Sequence, residues 1–192
     1  MGVPIIKTGP MTVEEYFAFT DTRPDNEKWE LIEGEPILHA SPSGLHHKIL
    51  KNLIFLLANI ERERPRSWEA IPGIGVRVSD TSLPEPDVMI LPAGEIGGDP
   101  YSRQTSEVIA TFEILSPSTA ERDLHWKRAA YTKLPSLSHY VVIAQDAVEV
   151  VSFSREEGFA ERRYRSLSDL IELRPLGISL PVGEIYRDTG LK

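Results

Sequence analysis

Two apolar stretches of this chain each carry a single carboxylate, and that combination restricts the fold more than any other feature. Residues 87–91 read Asp-Val-Met-Ile-Leu directly after Pro86, and residues 108–115 read Val-Ile-Ala-Thr-Phe-Glu-Ile-Leu. Both have the length and composition of short β-strands. A charge in such a strand is costly unless it is paired or bound to a cation. Singly, Asp87 and Glu113 are equally well explained as strand-end residues that reach water or an arginine. Together, an Asp and a Glu ending adjacent strands form a hard oxygen site of the type Mg²⁺ prefers.

The remaining periodicities supply the rest of a sheet and the helices that cover it. Thr12-Val13-Glu14-Glu15 is a capping box opening a helix over 14–19, and residues 29–32 and 36–39 form a hairpin turning at Glu33-Gly34. The longest helix spans 43–62, with Ser41 as N-cap and Pro42 at its first position. Its apolar half holds Leu45, Ile49, Leu53 and Leu57, and His46 falls inside that half while His47 faces out. His46 is then either a core histidine bonded to backbone or a residue that orients a ligand.

Further strands are expected over 75–78, 140–143 and 148–153, with a strand and a short closing helix over 178–186. A second capping box, Ser118-Thr119-Ala120-Glu121, starts a helix running to about residue 133. Leu124, Trp126, Ala129, Ala130, Tyr131 and Leu134 mark its inner side, and Asp123 and Lys127 fall in the same arc. Either those two charges pair with each other at a frayed helix start, or Lys127 reaches back to a carboxylate site. The fold class is α/β (α+β): one domain over 1–192, a central mixed sheet flanked by helices, with an N-terminal helix and hairpin.

Composition narrows the chemistry. There is no cysteine, so disulfides, thiolate zinc sites, iron–sulfur clusters and a cysteine nucleophile are excluded. The formal net charge is -8, against a domain that coats nucleic acid through phosphate neutralisation alone. Between residues 67 and 120 acidic side chains outnumber basic ones eight to two, so the excess negative charge surrounds Asp87 and Glu113 and favours a cation there. No G-x-S-x-G elbow, P-loop or EF-hand loop is present, and adjacent His46 and His47 point too far apart to share one zinc. Residues 1–7 lack the features of a signal peptide, and no apolar run spans a bilayer, so a soluble cytoplasmic protein is expected.

Asp87 after Pro86, the run Glu113-Ile114-Leu115-Ser116-Pro117-Ser118-Thr119, and the spacing of Asp123, Lys127 and Tyr131 together resemble the Uma-two-type family of restriction-endonuclease-like proteins, within the PD-(D/E)XK nuclease superfamily. Trp29-Glu30-Leu31-Ile32-Glu33-Gly34-Glu35, and Ser41-Pro42-Ser43 followed by His46, extend the match over about residues 11–186. The resemblance implies a restriction-endonuclease-like core and metal-dependent hydrolysis of phosphodiesters in DNA by a homodimer. It implies that Asp87, Glu113 and the Ile114 carbonyl hold Mg²⁺ or Mn²⁺, and that Glu30 and His46 contribute to the catalytic set. The superfamily lysine is expected two residues after the glutamate, where this chain has Leu115. Its role then passes to Lys127, which would stabilise the phosphate charge or position the nucleophile. That departure keeps a second reading open, a nuclease fold that binds without cutting. A third, Asp87 and Glu113 as the acid/base pair of another hydrolase, has no substrate cue.

Overall fold

The computed structural model describes residues 9–63, 67–116 and 120–192. The expectations for residues 1–7, and for Ser118 and Thr119 as the start of a helix, lie outside that set.

Helix α1 (Val13–Thr20) opens on the expected capping box, with Thr12 and Glu15 each bonding the other's backbone N–H. Strands β1 (Trp29–Ile32) and β2 (Glu35–Leu38) form an antiparallel hairpin. Its turn places both Glu33 and Gly34 at positive φ, 51° and 84°. Gly34 is also pressed against Pro10, where any Cβ would lie 2.2 Å from the proline ring. Helix α2 (Gly44–Arg62) buries Ile49, Leu53 and Leu57 as well as His46, and leaves His47 exposed. Its N-cap is Ser43 rather than Ser41, because the Ser43 hydroxyl accepts from the His46 N–H at 3.1 Å. Pro42 therefore precedes the helix.

The remaining strands are β3 (Trp68–Pro72), β4 (Gly75–Val76), β5 (Val88–Pro92), β6 (Gln104–Thr105), β7 (Ala110–Ile114), β8 (His139–Ile143), β9 (Val150–Ser154), β10 (Glu161–Tyr164), β11 (Leu170–Leu173) and β12 (Ile178–Pro181). Six of them form the central sheet in the order β10-β9-β8-β7-β5-β3. Within it β7 and β8 run parallel and the other neighbours antiparallel, so the sheet is mixed. Between β7 and β8 the chain crosses over through a π-helical turn (Arg122–Lys127) that continues into α3 (Arg128–Tyr131). A short helix α4 (Val182–Ile185) follows β12.

Side-chain alternation along the strands builds two cores. Val88, Ile90, Phe112, Ile114, Val141 and Ile143 face α2, β11, β12 and α4. Met89, Leu91, Tyr140, Val142, Val151 and Phe153 face Tyr131, Leu134 and Leu137. Cover on both faces is why these strands read as nearly unbroken apolar runs. Four strands were not legible. β6 is only two residues long. β3 carries a glutamate and ends in proline, β10 is an edge strand with three exposed charged residues, and β11 alternates exposed and buried positions over only four residues. Edge charges of that kind discourage pairing with another chain. On the crossover helix Ala129 is exposed and Trp126 half-buried, contrary to the regular wheel. The i→i+5 bonding of the π turn rotates them away from the core. Among the described residues, no helix is long and apolar enough to cross a membrane.

One backbone contact ties this scaffold to Asp87. The Gly73 N–H donates to the Asp87 carbonyl at 3.2 Å, and a Cβ on Gly73 would come within 1.6 Å of the Pro86 carbonyl oxygen. Gly73→Ala must therefore push the Pro86-Asp87 segment off β3. Overpacking of this type costs about 1–3 kcal/mol, and in a chain of this size each kcal/mol lowers Tm by roughly 2–4 °C. Thermal unfolding measures it, and a Tm equal to wild type would show that the contact is dispensable.

Candidate active site

Adjacent strands bring the two strand-end carboxylates together. Asp87 stands one residue before β5, and its N–H donates to the Phe112 carbonyl at 3.0 Å. Its Oδ2 accepts from the Ile114 N–H at 2.7 Å, which latches the side chain across the end of β7 beside Glu113. Phe112 and Ile114 point into the α2 core, so alternation turns Glu113 to the opposite face, toward the crossover helix.

There the ammonium of Lys127 meets three carboxylates. Its Nζ lies 2.8 Å from Glu30 Oε1, 2.9 Å from Glu113 Oε1 and 3.4 Å from Asp123 Oδ1. All four side chains are buried. Of the two readings open for Lys127, the structure contains both contacts: it reaches the carboxylate site and keeps Asp123 as its i, i+4 partner. Tyr131 adds an O–H to Glu113 Oε1 at 3.4 Å, and Tyr140 secures the Asp123 carbonyl at 2.7 Å.

The charges are unequal, and the carboxyl groups divide accordingly. Burial pushes Glu113 well above the usual carboxylate range, and although Lys127 opposes this, Asp123, Asp87 and Glu30 reinforce it. Burial would also raise Glu30, but Lys127 and His39 outweigh it and hold that carboxyl well below its usual value. His39 Nε2 sits 3.0 Å from Glu30 Oε2. Burial alone would lower Lys127, yet Glu113, Glu30 and Asp123 hold its ammonium well above the ordinary value. Asp87 is likewise kept below the usual range: burial opposes ionisation, but His46 and Lys28 overcome it.

Above this layer opens a cavity of about 310 Å³. Glu30, His46, Asp87, Glu113, Ile114 and Lys127 all line it, so every residue singled out from the sequence reaches one space. His46 Nε2 lies 3.4 Å from Asp87 Oδ1. Sequence reasoning missed Lys28, Glu85 and His39. Lys28 Nζ is 3.5 Å from Glu85 and 3.7 Å from Asp87 at the cavity mouth. The available signal was alternation, because Lys28 and Glu30, like Glu85 and Asp87, are two residues apart in extended chain and face the same side. Lys28 reads as loop because it falls one residue before β1.

Among the described residues, no three His, Asp or Glu side chains converge as a ready-made metal cage. Asp87, Glu113 and Ile114 line one cavity, and their carboxylate and carbonyl oxygens are hard donors in a region with more carboxylates than cations. That set fits Mg²⁺ or Mn²⁺, which typically take one or two carboxylates and fill the remaining positions with water and phosphate oxygens.

A mixed sheet covered by helices, with Asp and Glu at neighbouring strand ends beside a buried lysine, defines a nuclease-like class of protein. Its fold matches a crystal structure described as "a putative nuclease belonging to DUF820" from Anabaena variabilis ATCC 29413, with a TM-score of 0.72 at 16% identity, covering 92% of this chain and 98% of that one. Residues 13–183 match the Uma2 family, described as "Putative restriction endonuclease", and the chain belongs to that family. An uncharacterised protein of Synechocystis sp. (strain ATCC 27184 / PCC 6803 / Kazusa), slr1290, is 30% identical over 95 residues, 46% of this chain and 50% of that protein. The chain thus spans about half the length of the curated relative it matches.

Two stability experiments probe the charge balance. A carboxyl whose folded-state value is raised is favourable to folding at acid pH, and that advantage is lost as pH climbs toward the folded-state value. Metal-free Glu113→Gln escapes the loss. Its Tm should match wild type below pH 4.5, the ordinary value, and exceed it by a margin that widens as pH rises. A margin independent of pH would show that Glu113 is not crowded by its neighbours. Lys127→Met leaves three carboxylates buried without their cation, and removing one partner of a buried charge cluster costs about 3–5 kcal/mol. Urea unfolding reads that loss, and a variant as stable as wild type would remove Lys127 from the centre of the fold.

Proposed function

We propose that this protein is a metal-dependent endonuclease that hydrolyses phosphodiester bonds in DNA. The observation that carries the reading is the Asp87–Glu113 pair, latched across neighbouring strand ends and backed by a buried ammonium. In this reading Asp87, Glu113 and the Ile114 carbonyl hold Mg²⁺ or Mn²⁺. When bound, the metal supplies a water of lowered pKa and neutralises charge on the phosphate.

The chain's own residues keep this pair in position. The Ile114 N–H turns one oxygen of Asp87 toward β7, so the other, Oδ1, points toward His46 and the cavity. Lys127 and Tyr131 grip Glu113 by Oε1 and set its plane. Glu30 completes the Lys127 shell and carries its charge to His39 and Arg122 at 3.0 and 3.7 Å. The reading includes a single domain and a homodimer that makes one cut in each strand of a duplex, acting in the cytoplasm.

Purified protein incubated with supercoiled plasmid and end-labelled oligonucleotides tests it. Cleavage should require Mg²⁺ or Mn²⁺, stop with EDTA, and fall at least about 10²-fold in Asp87→Ala and in Glu113→Ala, the scale of losing one electrostatic stabiliser of the transition state. Protein that binds divalent metal but cuts neither DNA nor RNA with any of these ions would instead be a nuclease fold retained as a binding module.

A further inference from the structure

Two lysines line the cavity, and they differ in what they are able to touch. The Lys127 side chain is 2% exposed, and its ammonium lies within 3.4 Å of three carboxylates. Two of its three N–H donors are bonded to Glu30 and Glu113, and Asp123 stands 3.4 Å away as an ion-pair neighbour. Turning Lys127 toward a substrate would leave those carboxylates buried and unpaired.

Lys28 is the opposite case. Its side chain is 40% exposed, and its two ion pairs are loose, 3.5 Å to Glu85 and 3.7 Å to Asp87. The Glu85 pair is partly exposed, and pairs of that kind contribute only about 0–1 kcal/mol, whereas Asp87 is 13% exposed, so the ammonium can leave Glu85 at little cost while it stays within reach of Asp87. Its backbone does not swing: the Lys28 carbonyl accepts from the His39 N–H at 2.9 Å, an extension of the β1–β2 ladder. The stem is therefore fixed beside Asp87 while the charged end, held by contacts of 3.5 and 3.7 Å, can turn toward the cavity. Lys28 and Glu85 also border a second cavity of about 430 Å³, whose lining includes Arg23 and Arg103. Those guanidinium groups lie over Phe19 and Phe17, 4.4 and 4.3 Å from the ring centroids. The same cavity is lined by Asp25, Glu27 and Glu85, and Arg103 pairs with Asp21 at 2.7 Å, so Lys28 is the cation placed nearest Asp87.

Resting on the nuclease reading above, we propose that Lys28 is the lysine that contacts the scissile phosphate, donating to a non-bridging oxygen beside Asp87, and that Lys127 is a positioning residue which never touches substrate. The lysine missing from the position of Leu115 is thus replaced by two groups. One balances the carboxylates and the other meets the phosphate.

Kinetics of duplex cleavage, together with duplex binding by fluorescence anisotropy in Ca²⁺ over a series of salt concentrations, separate these roles. Lys28→Met should keep the wild-type Tm, lower kcat about 10²–10³-fold, and reduce the slope of log affinity against log salt by roughly one. Lys28→Arg, which keeps the charge, should recover much of the lost rate and the slope. If Lys28→Met cuts at the wild-type rate with an unchanged salt slope, the assignment is wrong while the nuclease reading stands. A Tm loss in Lys28→Met comparable to that of Lys127→Met would also overturn it, because Lys28 would then be structural. If wild-type protein cuts no polynucleotide with Mg²⁺ or Mn²⁺, the nuclease reading fails and takes this assignment with it.

Discussion

One buried ammonium organises this molecule. Lys127 joins Glu30 of the hairpin, Glu113 of a central strand and Asp123 of its own helical turn, so three elements distant in sequence share one cation. Removing four charged groups from water is strongly unfavourable, and their mutual attraction recovers that only with short contacts and satisfied lone pairs. The structure supplies the short contacts, with Tyr131 added on Glu113 and the Glu85 N–H and His39 beside Glu30, but Asp123 Oδ1 is buried without a hydrogen bond. Burial, reinforced by the surplus of carboxylates around one lysine, makes Glu113 resist ionisation, whereas Lys127 and His39 outweigh burial at Glu30. The cluster has a deficit of positive charge.

The π turn belongs to the same constraint. Residues 122–127 lie where a regular α-helix would continue from the crossover, and Asp123 and Lys127, spaced i, i+4, stay together on its buried side. It also displaces Trp126 outward, where its indole N–H donates to Glu33 at 3.0 Å in the hairpin turn. The helix is therefore fastened to the hairpin at two heights, by Lys127–Glu30 in the interior and Trp126–Glu33 near the surface. Since Glu30 follows Lys28 by two residues, whatever holds the hairpin also sets where Lys28 stands.

Much of this was legible in the sequence, and the exceptions share a cause. The capping box of α1, the hairpin turn at Glu33-Gly34, the inward face of α2 and the apolar strands are local signals carried by periodicity and turn chemistry. The approach of Asp87 to Glu113 was inferable because an isolated carboxylate in an apolar strand requires a partner. What escaped depends on contacts distant in sequence. β3 pairs with β5 despite its glutamate and proline. Ser43 displaced Ser41 as the cap of α2, a choice between two similar residues two positions apart. Lys28 looks like ordinary loop polarity and His39 like the end of a hairpin strand until the hairpin folds them over the central strand ends. Trp126 and Ala129 were misplaced because a wheel drawn at 100° per residue assumes bonding that the π turn does not have.

The acidity of the chain takes on a different meaning once the site is assembled. The segment rich in carboxylates contributes Glu85, Asp87 and Glu113 to the cavity, and with Glu30 and Asp123 their field repels phosphate unless cations intervene. Lys127 is too enclosed to do so, and its charge is already spent on Glu30 and Glu113. The group placed to offset that field at the opening is Lys28, at the mouth. A site built this way separates two requirements that a single lysine on the strand would have to meet together. The buried ammonium sets the geometry of the carboxylates and must not move, while the exposed one must move to follow a phosphate. Placing them on different elements, a crossover helix and a hairpin, allows each to meet its own requirement without compromising the other.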